Sequence, residues 1–365
     1  MGSFFHEGLL NLVIRGARAL YPSGVVRISE TLRSPRGVLL MPSESLGDML
    51  GAFPVIRALR RAFRETRIAV MATPTASDLL RDTPGLDEVI LCYPLNHPSN
   101  WRAFHRTVSE LRSRGFDTLF SLDHERDRVK SLVGYLSGAK VRVGFRSRAS
   151  AGLFNIVVDP PARTNYLALR NLALVGAVGI DTNGIDTAWS PSGKELRIAE
   201  QLAELRGLRS GGLIAGFEAS AEQGRGRPAL AERSGVLKDQ FGARFVVFRE
   251  HPPAAYSQEM DLTTADGAVD LACRTIRDVL AILACCDVFL CENTNLLHFA
   301  VAMGVPTVAF LPEGMSAVLV PPESRRVSIV RGNGIGNEDL LNIIARLAPP
   351  GVERRGSGKA GDSQP

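Results

Sequence analysis

The chain has no apolar run that reaches about 18 residues, the length that a helix needs to span a bilayer. Its amino terminus carries neither the basic start nor the small-residue cleavage site of a signal peptide, so we expect a cytoplasmic protein. Cysteine is scarce: the five cysteines form no C-x-x-C pair, which predicts buried thiols in a reducing compartment. None of the six histidines has Cys, Asp or Glu at a metal-ligand spacing, so we predict no metal site.

Several signatures of common enzyme classes are also missing. The absence of G-x-x-x-x-G-K-[ST] excludes a P-loop NTPase, and the absence of G-x-G-x-x-G between strand and helix argues against a nicotinamide dehydrogenase. No G-x-S-x-G elbow of a hydrolase occurs. The net charge is only +5 over 365 residues. This mild surplus gives no sign of nucleic-acid binding, but it suits an anionic small ligand or an anionic membrane surface.

Short apolar runs alternate with helical periodicity along most of the chain. Runs typical of buried strands occupy 37–42, 67–73, 88–94, 117–123 and 140–145, and then 212–217, 244–250, 287–291 and 307–312. Continuous apolar strands separated by helices indicate parallel sheets covered on both faces. We therefore predict an α/β protein with two Rossmann-like, doubly wound parallel-sheet domains that face a cleft. The sequence from Thr275 to Asp278 resembles a capping box and predicts a helix start there.

The predicted domain plan has five parts: an amphipathic segment (1–34), a first domain (35–185), a linker with a first helix (186–205), a second domain (206–348) and a disordered tail (349–365). In the amphipathic segment, residues 4–21 place apolar side chains on one helical face. This pattern has two interpretations: a helix packed on its own domain, or an interfacial helix on a membrane.

Ligands of such sheets bind beyond the carboxyl ends of the strands. The first strand is followed there by Ser45-Leu46-Gly47-Asp48. Asp48 has two interpretations: it caps the following helix, or it is a general base that takes a proton from an acceptor hydroxyl. The helix after it places Arg57, Arg60, Arg61 and Arg64 on one face, which is either solvated or directed at an anionic acceptor or membrane.

In the second domain, the loop after the first strand carries Arg225 and Arg227, which suit a phosphate group or are simply solvated. Thr294 or Asn295 is a plausible N-cap of the helix that follows 287–291. The free N–H groups of its first turn form a ready anion site unless the helix is merely capped. His298 lies in the same turn. It is either a structural histidine whose hydrogen bonds are satisfied within the fold or a part of the anion site.

These residues, in this order, resemble the heptosyltransferase family, glycosyltransferase family 9, which has the two-domain GT-B fold. The similarity covers about 36–345 and is carried by ESLGD and PVIRALR (44–60), by the stretch at 116–145, by NYLALRNLALVGAVGI (165–180), and by the block at 278–310. In the family that last block usually reads N-D-S-G-P-M-H, followed by a helix of small residues and G-x-P-x-V-A.

The resemblance implies an inverting, metal-independent transfer of a heptose from ADP-heptose to a sugar hydroxyl, with no cofactor. The implied acceptor is an anionic glycan or glycolipid of the lipopolysaccharide core, reached through peripheral contact with the cytoplasmic membrane face. Asp48 then matches the catalytic base. The residues assigned to the acceptor are Ser45, Arg57 and Arg61, and those assigned to the donor are Arg225, Arg227, Glu250, Asn293, Thr294, Asn295 and His298.

The departures from the family pattern cluster on the donor side. Asn293 replaces the family's Asp, Asn295 its Gly, Arg225 a Lys and Arg227 a Trp. Two further interpretations therefore stand beside the transferase: a degenerate protein that binds a nucleotide or glycan without catalysis, and a GT-B nucleotide-sugar epimerase.

Overall fold

A computed structural model describes the chain over residues 12–21, 27–92, 101–123, 127–147, 152–162, 166–209, 212–219, 226–249, 260–262, 271–273, 275–292, 295–311, 313, 325–331 and 335–350. The chain divides into two compact units, Met1–Thr187 and Ala188–Pro365. Nearly all of the predicted tail lies outside the described residues.

The first unit is built on a six-stranded sheet in which every pair of neighbours is parallel. The strand order is β3-β2-β1-β4-β5-β6. The strands are β1 (Gly37–Met41), β2 (Arg67–Ala72), β3 (Glu88–Leu91), β4 (Thr118–Ser121), β5 (Val141–Phe145) and β6 (Ile156–Val158). All residues of β1, β4 and β5 are buried. These strands are continuous apolar runs because helices cover both faces of the sheet.

Helices flank this sheet: α1 (12–20), α2 (Ile28–Arg33), α3 (Leu46–Met49), α4 (Ala52–Ala62), α5 (Pro74–Leu80), α6 (Trp101–Arg114), α7 (Arg128–Leu136) and α8 (Leu167–Gly176). Ile14 and Ala17 of α1 belong to the buried core of this unit. Residues 12–20 of the amphipathic segment therefore pack on the first unit through Ile14 and Ala17, whereas its interfacial interpretation remains a prediction. The segment is part of the first unit.

The second unit has a five-stranded parallel sheet of order β13-β12-β11-β7-β8 and a separate antiparallel pair, β9 with β10. Its strands are β7 (Ile214–Ala219), β8 (Arg244–Arg249), β9 (Met260–Leu262), β10 (Leu271–Cys273), β11 (Val288–Cys291), β12 (Thr307–Leu311) and β13 (Val327–Arg331). Its helices are α9 (Gly193–Leu205), α10 (Gly226–Phe241), α11 (Ile276–Ala284), α12 (Asn295–Met303) and α13 (Asn337–Leu347).

The prediction of two doubly wound α/β units is confirmed. The predicted capping box is also present, since Thr275 and Asp278 exchange side-chain and backbone hydrogen bonds at the start of α11. Strands β6, β9 and β10 were not predicted, because each has only three residues and periodicity needs a longer window.

The cysteines whose side chains are described, Cys92, Cys285, Cys286 and Cys291, are free and buried, as predicted. Burial raises the pKa of Cys92 and of Cys285 to about 11. A thiol that stays protonated is a poor nucleophile, so these side chains fill the core. Within the described part of the chain, no helix combines the length and apolar character that a membrane crossing requires.

The start of the second unit contains a pH-sensitive ion pair. The Glu195 carboxylate of α9 accepts hydrogen bonds from the Arg277 guanidinium, one of them at 3.0 Å, and from the Ser192 amide at 2.7 Å. The Arg277 bonds hold the pKa of Glu195 down at about 2. A depressed carboxyl pKa stabilises the fold above the unfolded value of about 4.3, and that contribution is lost as the pH falls toward 2.

We therefore expect Glu195→Gln to lower the melting temperature at pH 7 and to make little difference near pH 2. The measurement is thermal unfolding from pH 7 to pH 2 by circular dichroism. Glu204→Gln, on the exposed side of the same helix, is the matched control. A constant difference between Glu195→Gln and wild type at every pH would contradict the assignment.

Candidate active site

The candidate site lies at the point where the strand order of the first sheet reverses. Strands β1, β2 and β3 succeed one another in one direction, whereas β4 lies on the other side of β1. The loops that leave β1 and β4 therefore diverge to opposite faces and open a crevice at the carboxyl edge, where doubly wound sheets bind their ligands. The sequence places Asp48 just after β1, next to this crevice.

Asp48 lies in a short helix whose start is fixed by Ser45. The Ser45 hydroxyl accepts a hydrogen bond from the Asp48 amide at 3.1 Å, so Ser45 is the N-cap of α3. The Asp48 residue is 7% exposed. Ser45 thus has a definite structural role, and its predicted contact with an acceptor remains a prediction.

A first link ties this loop to the connection that follows β4. The Ser43 hydroxyl donates to one carboxylate oxygen of Asp123 at 2.9 Å. The other oxygen of Asp123 accepts from the Asp127 amide at 2.8 Å, and Asp127 itself caps α7 through the amides of Val129 and Lys130. The two loops that line the crevice are therefore held to one another by hydrogen bonds.

A second link is an ion pair between the same two segments. The Lys130 ammonium lies 3.5 Å from a carboxylate oxygen of Glu44, and the Lys130 side chain is 2% exposed. The negative charge of Glu44 and the positive charge of Lys130 also act in opposite directions on the pKa of the Cys92 thiol, which places all three groups near one another. A buried ammonium requires a compensating charge, and Glu44 supplies it.

Helix α8 fixes the turn on the other side of Asp48. The Asn171 side-chain amide, buried at 2% exposure, donates to the Gly51 carbonyl oxygen at 3.1 Å. A Cβ atom on Gly51 would lie 2.5 Å from the Asn171 side-chain nitrogen, so only glycine allows this approach. The turn that connects α3 to α4 is thereby locked, and Asp48 is held from both sides.

The arginines predicted to bind an acceptor are engaged within the first unit. Arg57 donates to the Asp186 carbonyl oxygen at 2.7 Å, and Arg61 donates to the Asp181 and Asn183 carbonyl oxygens at 2.7 and 2.9 Å. Both guanidinium groups therefore tie α4 to the segment at 181–186. Their acceptor contact remains a prediction, and the structure adds this tethering role.

Arg60, on the same face of α4, is enclosed by the carbonyl oxygens of Gly85, Phe63 and Thr66 and by the Asp87 carboxylate. Only part of the predicted arginine face is therefore available to solvent, because most of its hydrogen-bond donors are already satisfied by the backbone around them.

In the second unit the strand order reverses between β7 and β11, so the equivalent crevice lies after these two strands. Helix α12 begins at Asn295, directly after the loop that leaves β11, and it carries the half-buried His298 in its first turn. This is the arrangement that the sequence predicted for an anion site. Arg225, Glu250, Asn293 and Thr294 lie outside the described residues, as does the side chain of Arg227 in α10.

Two carboxylates that the sequence analysis did not select lie at this edge. Glu218 belongs to the end of β7 and Glu292 directly follows β11. Both raise the pKa of the buried Cys291 thiol by their negative charge, after burial itself, so both are near that thiol. The predicted donor edge of this chain therefore carries negative charge, and Glu292 replaces the Asn of the family's N-D-S-G.

Among the described residues, no three His, Cys, Asp or Glu side chains are grouped so that they could hold a metal ion. The metal-independent reaction remains a prediction.

A cavity of about 850 Å³ lies in the first unit between α2 and the ends of α4 and α8. Its lining includes Ile28, Leu32 and Phe63 and none of the predicted site residues.

No protein-family model matches the chain. Its sequence is 24% identical to lipopolysaccharide heptosyltransferase 2 of Escherichia coli over 311 residues, which covers 80% of this chain and 87% of the relative. This similarity extends across both units.

Solved structures agree with the sequence relative. The glycosyl transferase family 9 protein of Veillonella parvula superposes with a TM-score of 0.64 at 14% identity, covering 85% of this chain and 88% of that protein. Escherichia coli heptosyltransferase WaaC with ADP gives a TM-score of 0.62 at 14% identity, covering 86% of this chain and all of that protein. The fold is therefore that of GT-B glycosyltransferases.

The fold and the curated relative define the class of protein as a glycosyltransferase. The resemblance to the heptosyltransferase family that the motifs indicated is confirmed, and the chain is heptosyltransferase-like in both sequence and fold.

Sequence reasoning missed the residues that hold Asp48 in place, namely Ser43, Glu44, Asp123, Lys130 and Asn171. Ser43 directly precedes the ESLGD motif and Glu44 is its first residue, so their position was a usable signal. The other three come from segments 70 or more residues away, and only the strand order of the sheet shows that they meet this loop.

Proposed function

We propose that the chain is an inverting, metal-independent glycosyltransferase that moves a heptose or related sugar from a nucleotide-sugar to a hydroxyl of a glycan acceptor. ADP-heptose is the favoured donor. The observation that carries this proposal is the buried Asp48 at the strand-order reversal of the first sheet, on a loop fixed by Ser45, by Asp123 and by Lys130. The similarity to a heptosyltransferase supports the sugar class.

In the proposed reaction, the Asp48 carboxylate accepts the proton of the acceptor hydroxyl. The acceptor oxygen forms a bond to the anomeric carbon while the bond from that carbon to the diphosphate oxygen breaks. The nucleoside diphosphate leaves with the electron pair, and the anomeric configuration inverts because attack comes from the opposite face. One carboxylate is enough for this step, because no covalent sugar–enzyme intermediate forms.

For the donor, we propose that Arg225, Arg227 and the first-turn amides of α12 stabilise the charge that develops on the leaving diphosphate. Asn293, Thr294, Asn295, His298 and Glu250 complete the proposed donor contacts. The ADP in the related WaaC structure supports an adenine nucleotide.

For the acceptor, we propose a glycan or glycolipid of the lipopolysaccharide-core kind, in line with the curated relative. Ser45, Arg57 and Arg61 are its proposed contacts. Transfer to a growing glycolipid places the enzyme on the cytoplasmic face of the membrane, as a peripheral protein.

The test of donor class is calorimetric titration of the full chain with ADP, UDP and GDP in buffer containing EDTA. We expect ADP to bind with micromolar affinity and the other two to bind at least about tenfold more weakly, a difference of about 1.4 kcal/mol. Equal or tighter binding of UDP or GDP would contradict ADP-heptose as the donor. Binding that requires added Mg²⁺ would contradict metal independence.

A second candidate function is a degenerate transferase that binds nucleotide or glycan without transfer. The observation in its favour is the negative charge of Glu218 and Glu292 at the donor edge, close to the proposed diphosphate position. Tight nucleotide binding without transfer from any of ADP-, UDP- or GDP-linked sugars would favour this candidate over the enzyme.

A further inference from the structure

Helix α1 is apolar on two opposite sides. Ile14 and Ala17 are buried in the core of the first unit, whereas Leu12 and Leu20 are 66% and 77% exposed. With about 3.6 residues per turn, Leu12 lies roughly opposite the buried pair and Leu20 lies on the outward flank. A surface helix normally carries polar residues on its outer side, so this outward apolar face indicates contact with another apolar medium.

The outward direction of this face is fixed by three contacts at the end of α1. The Tyr135 hydroxyl donates to the Tyr21 carbonyl oxygen at 2.6 Å, and the Arg112 guanidinium lies 4.8 Å from the centre of the Tyr21 ring. The Arg18 guanidinium packs closely on Gly152, where an added Cβ would come within 2.8 Å of it. Since the helix is anchored on its inner side, it cannot rotate to bury Leu12 and Leu20.

Positive charge lies beside this apolar face. Residues 12–21 contain two arginines, Arg15 and Arg18, both exposed, and no acidic residue. The neighbouring helix α6, whose Arg112 contacts Tyr21, exposes the basic or neutral side chains Arg102, His105, Arg106, Ser109, Arg112 and Ser113. The acidic residue of α6, Glu110, is half-buried and paired with Arg114. An apolar stripe bordered by arginines complements a bilayer that contains anionic lipid.

A second copy of the chain fits this face poorly. The stripe is about 14 Å long, because the described helix has nine residues at about 1.5 Å each, and it is one helix wide. Such a patch falls far short of the roughly 800 Å² per partner that a stable protein interface buries.

We propose that α1 and α6 form a docking surface for an anionic lipid bilayer. Leu12, Val13 and Leu20 enter the boundary between headgroups and acyl chains, while the arginines of both helices contact lipid phosphates. The sequence analysis considered the arginine face of α4 as the surface for an anionic membrane. Most hydrogen-bond donors of that face are taken by backbone carbonyl oxygens, so we assign membrane contact to the arginines of α6 instead. The proposal does not depend on the transfer reaction.

The test is co-sedimentation of the full chain with vesicles of phosphatidylglycerol and phosphatidylcholine, compared with phosphatidylcholine alone. We expect wild type to pellet with the anionic vesicles and to be released by salt, because the arginine contacts are screened. Leu12→Ser/Leu20→Ser should weaken binding at least about tenfold. Arg102→Ser/Arg106→Ser should weaken it by a similar factor in low salt, since each basic residue contributes about fivefold.

The matched control is Ile198→Ser/Leu205→Ser, which removes two apolar side chains that are 54% and 83% exposed on α9 of the second unit. This control should bind like wild type. Leu20→Ser alone serves as a milder variant, and thermal unfolding verifies that each variant is folded. Vesicle binding needs no sugar donor, so its failure is distinguishable from a failure of the proposed enzyme.

Three outcomes would overturn the proposal. The first is equal pelleting of wild type and Leu12→Ser/Leu20→Ser, and the second is a loss of binding in Ile198→Ser/Leu205→Ser as large as that in Leu12→Ser/Leu20→Ser. The third is equal binding to vesicles with and without phosphatidylglycerol. A fourth is a wild-type dimer by light scattering that Leu12→Ser/Leu20→Ser converts to monomer without any vesicle binding. That result would assign the surface to a second copy of the chain.

Discussion

Asp48→Asn is expected to lower kcat for sugar transfer by about 10²- to 10⁴-fold, the range that removal of a general base produces. The asparagine side chain has nearly the same shape, so the α3 turn held by Ser45 and Asn171 should persist. ADP affinity should change little, because the proposed donor contacts lie on the second unit. Steady-state kinetics and calorimetry on the same preparation separate the two effects.

Asp82→Asn is the control for this variant. Asp82 is exposed and has a φ of 56°, a left-handed conformation that asparagine tolerates well. We expect the control to retain full turnover. Full turnover of Asp48→Asn would remove Asp48 from the proposed role, whereas a parallel loss of turnover and ADP affinity would indicate a structural role.

Lys130→Met has the second largest expected effect. It leaves the Glu44 carboxylate, which is 25% exposed, without its partner beside the loop that carries Asp48. Because the carboxylate left behind is partly hydrated, we expect a cost of about 1–2 kcal/mol, below that of leaving a fully buried charge unpaired, which corresponds to roughly 2–8 °C in the melting temperature of a unit of this size. We also expect a loss of kcat that exceeds any change in donor affinity, because the Asp48 loop loses one of its two links to the β4–α7 connection.

The double variant Lys130→Met/Glu44→Gln is the matched control, because it removes both charges together. Its melting temperature should recover most of the loss, while the pH profile of kcat should differ from wild type if the pair positions Asp48. A double variant as unstable as Lys130→Met alone would show that Lys130 acts through packing and not through Glu44.

The elements that the sequence predicted are those with long, regular patterns. The strands β1, β4 and β5 are buried along their whole length, so their apolar runs were unmistakable, and the capping box at Thr275 marked the start of α11. Asp48 could be selected because it follows a buried strand. Its supporting residues could not, because Lys130 and Asn171 reach it only through the strand order and the packing of α8, which periodicity does not encode.

The arginines of α4 show a different limit of sequence reasoning. Their spacing correctly placed Arg57 and Arg61 on one helical face, but spacing does not reveal what that face meets. The structure places the carbonyl oxygens of 181–186 against these two side chains. The spacing within residues 4–21 likewise predicted an apolar helical face that includes Leu12, but it did not show that Leu12 and Leu20 point outward while Ile14 and Ala17 meet the core.

The proposed reaction is the transfer of a sugar from a nucleotide-sugar with inversion at the anomeric carbon. The most direct measurement is mass spectrometry and proton NMR of the product formed from ADP-heptose and a lipopolysaccharide-core acceptor in EDTA. We expect a product one heptose heavier than the acceptor, with an anomeric configuration opposite to that of the donor, and one ADP released per transfer. A product with retained configuration, an isomerised donor formed without acceptor, or no product alongside tight ADP binding would contradict it.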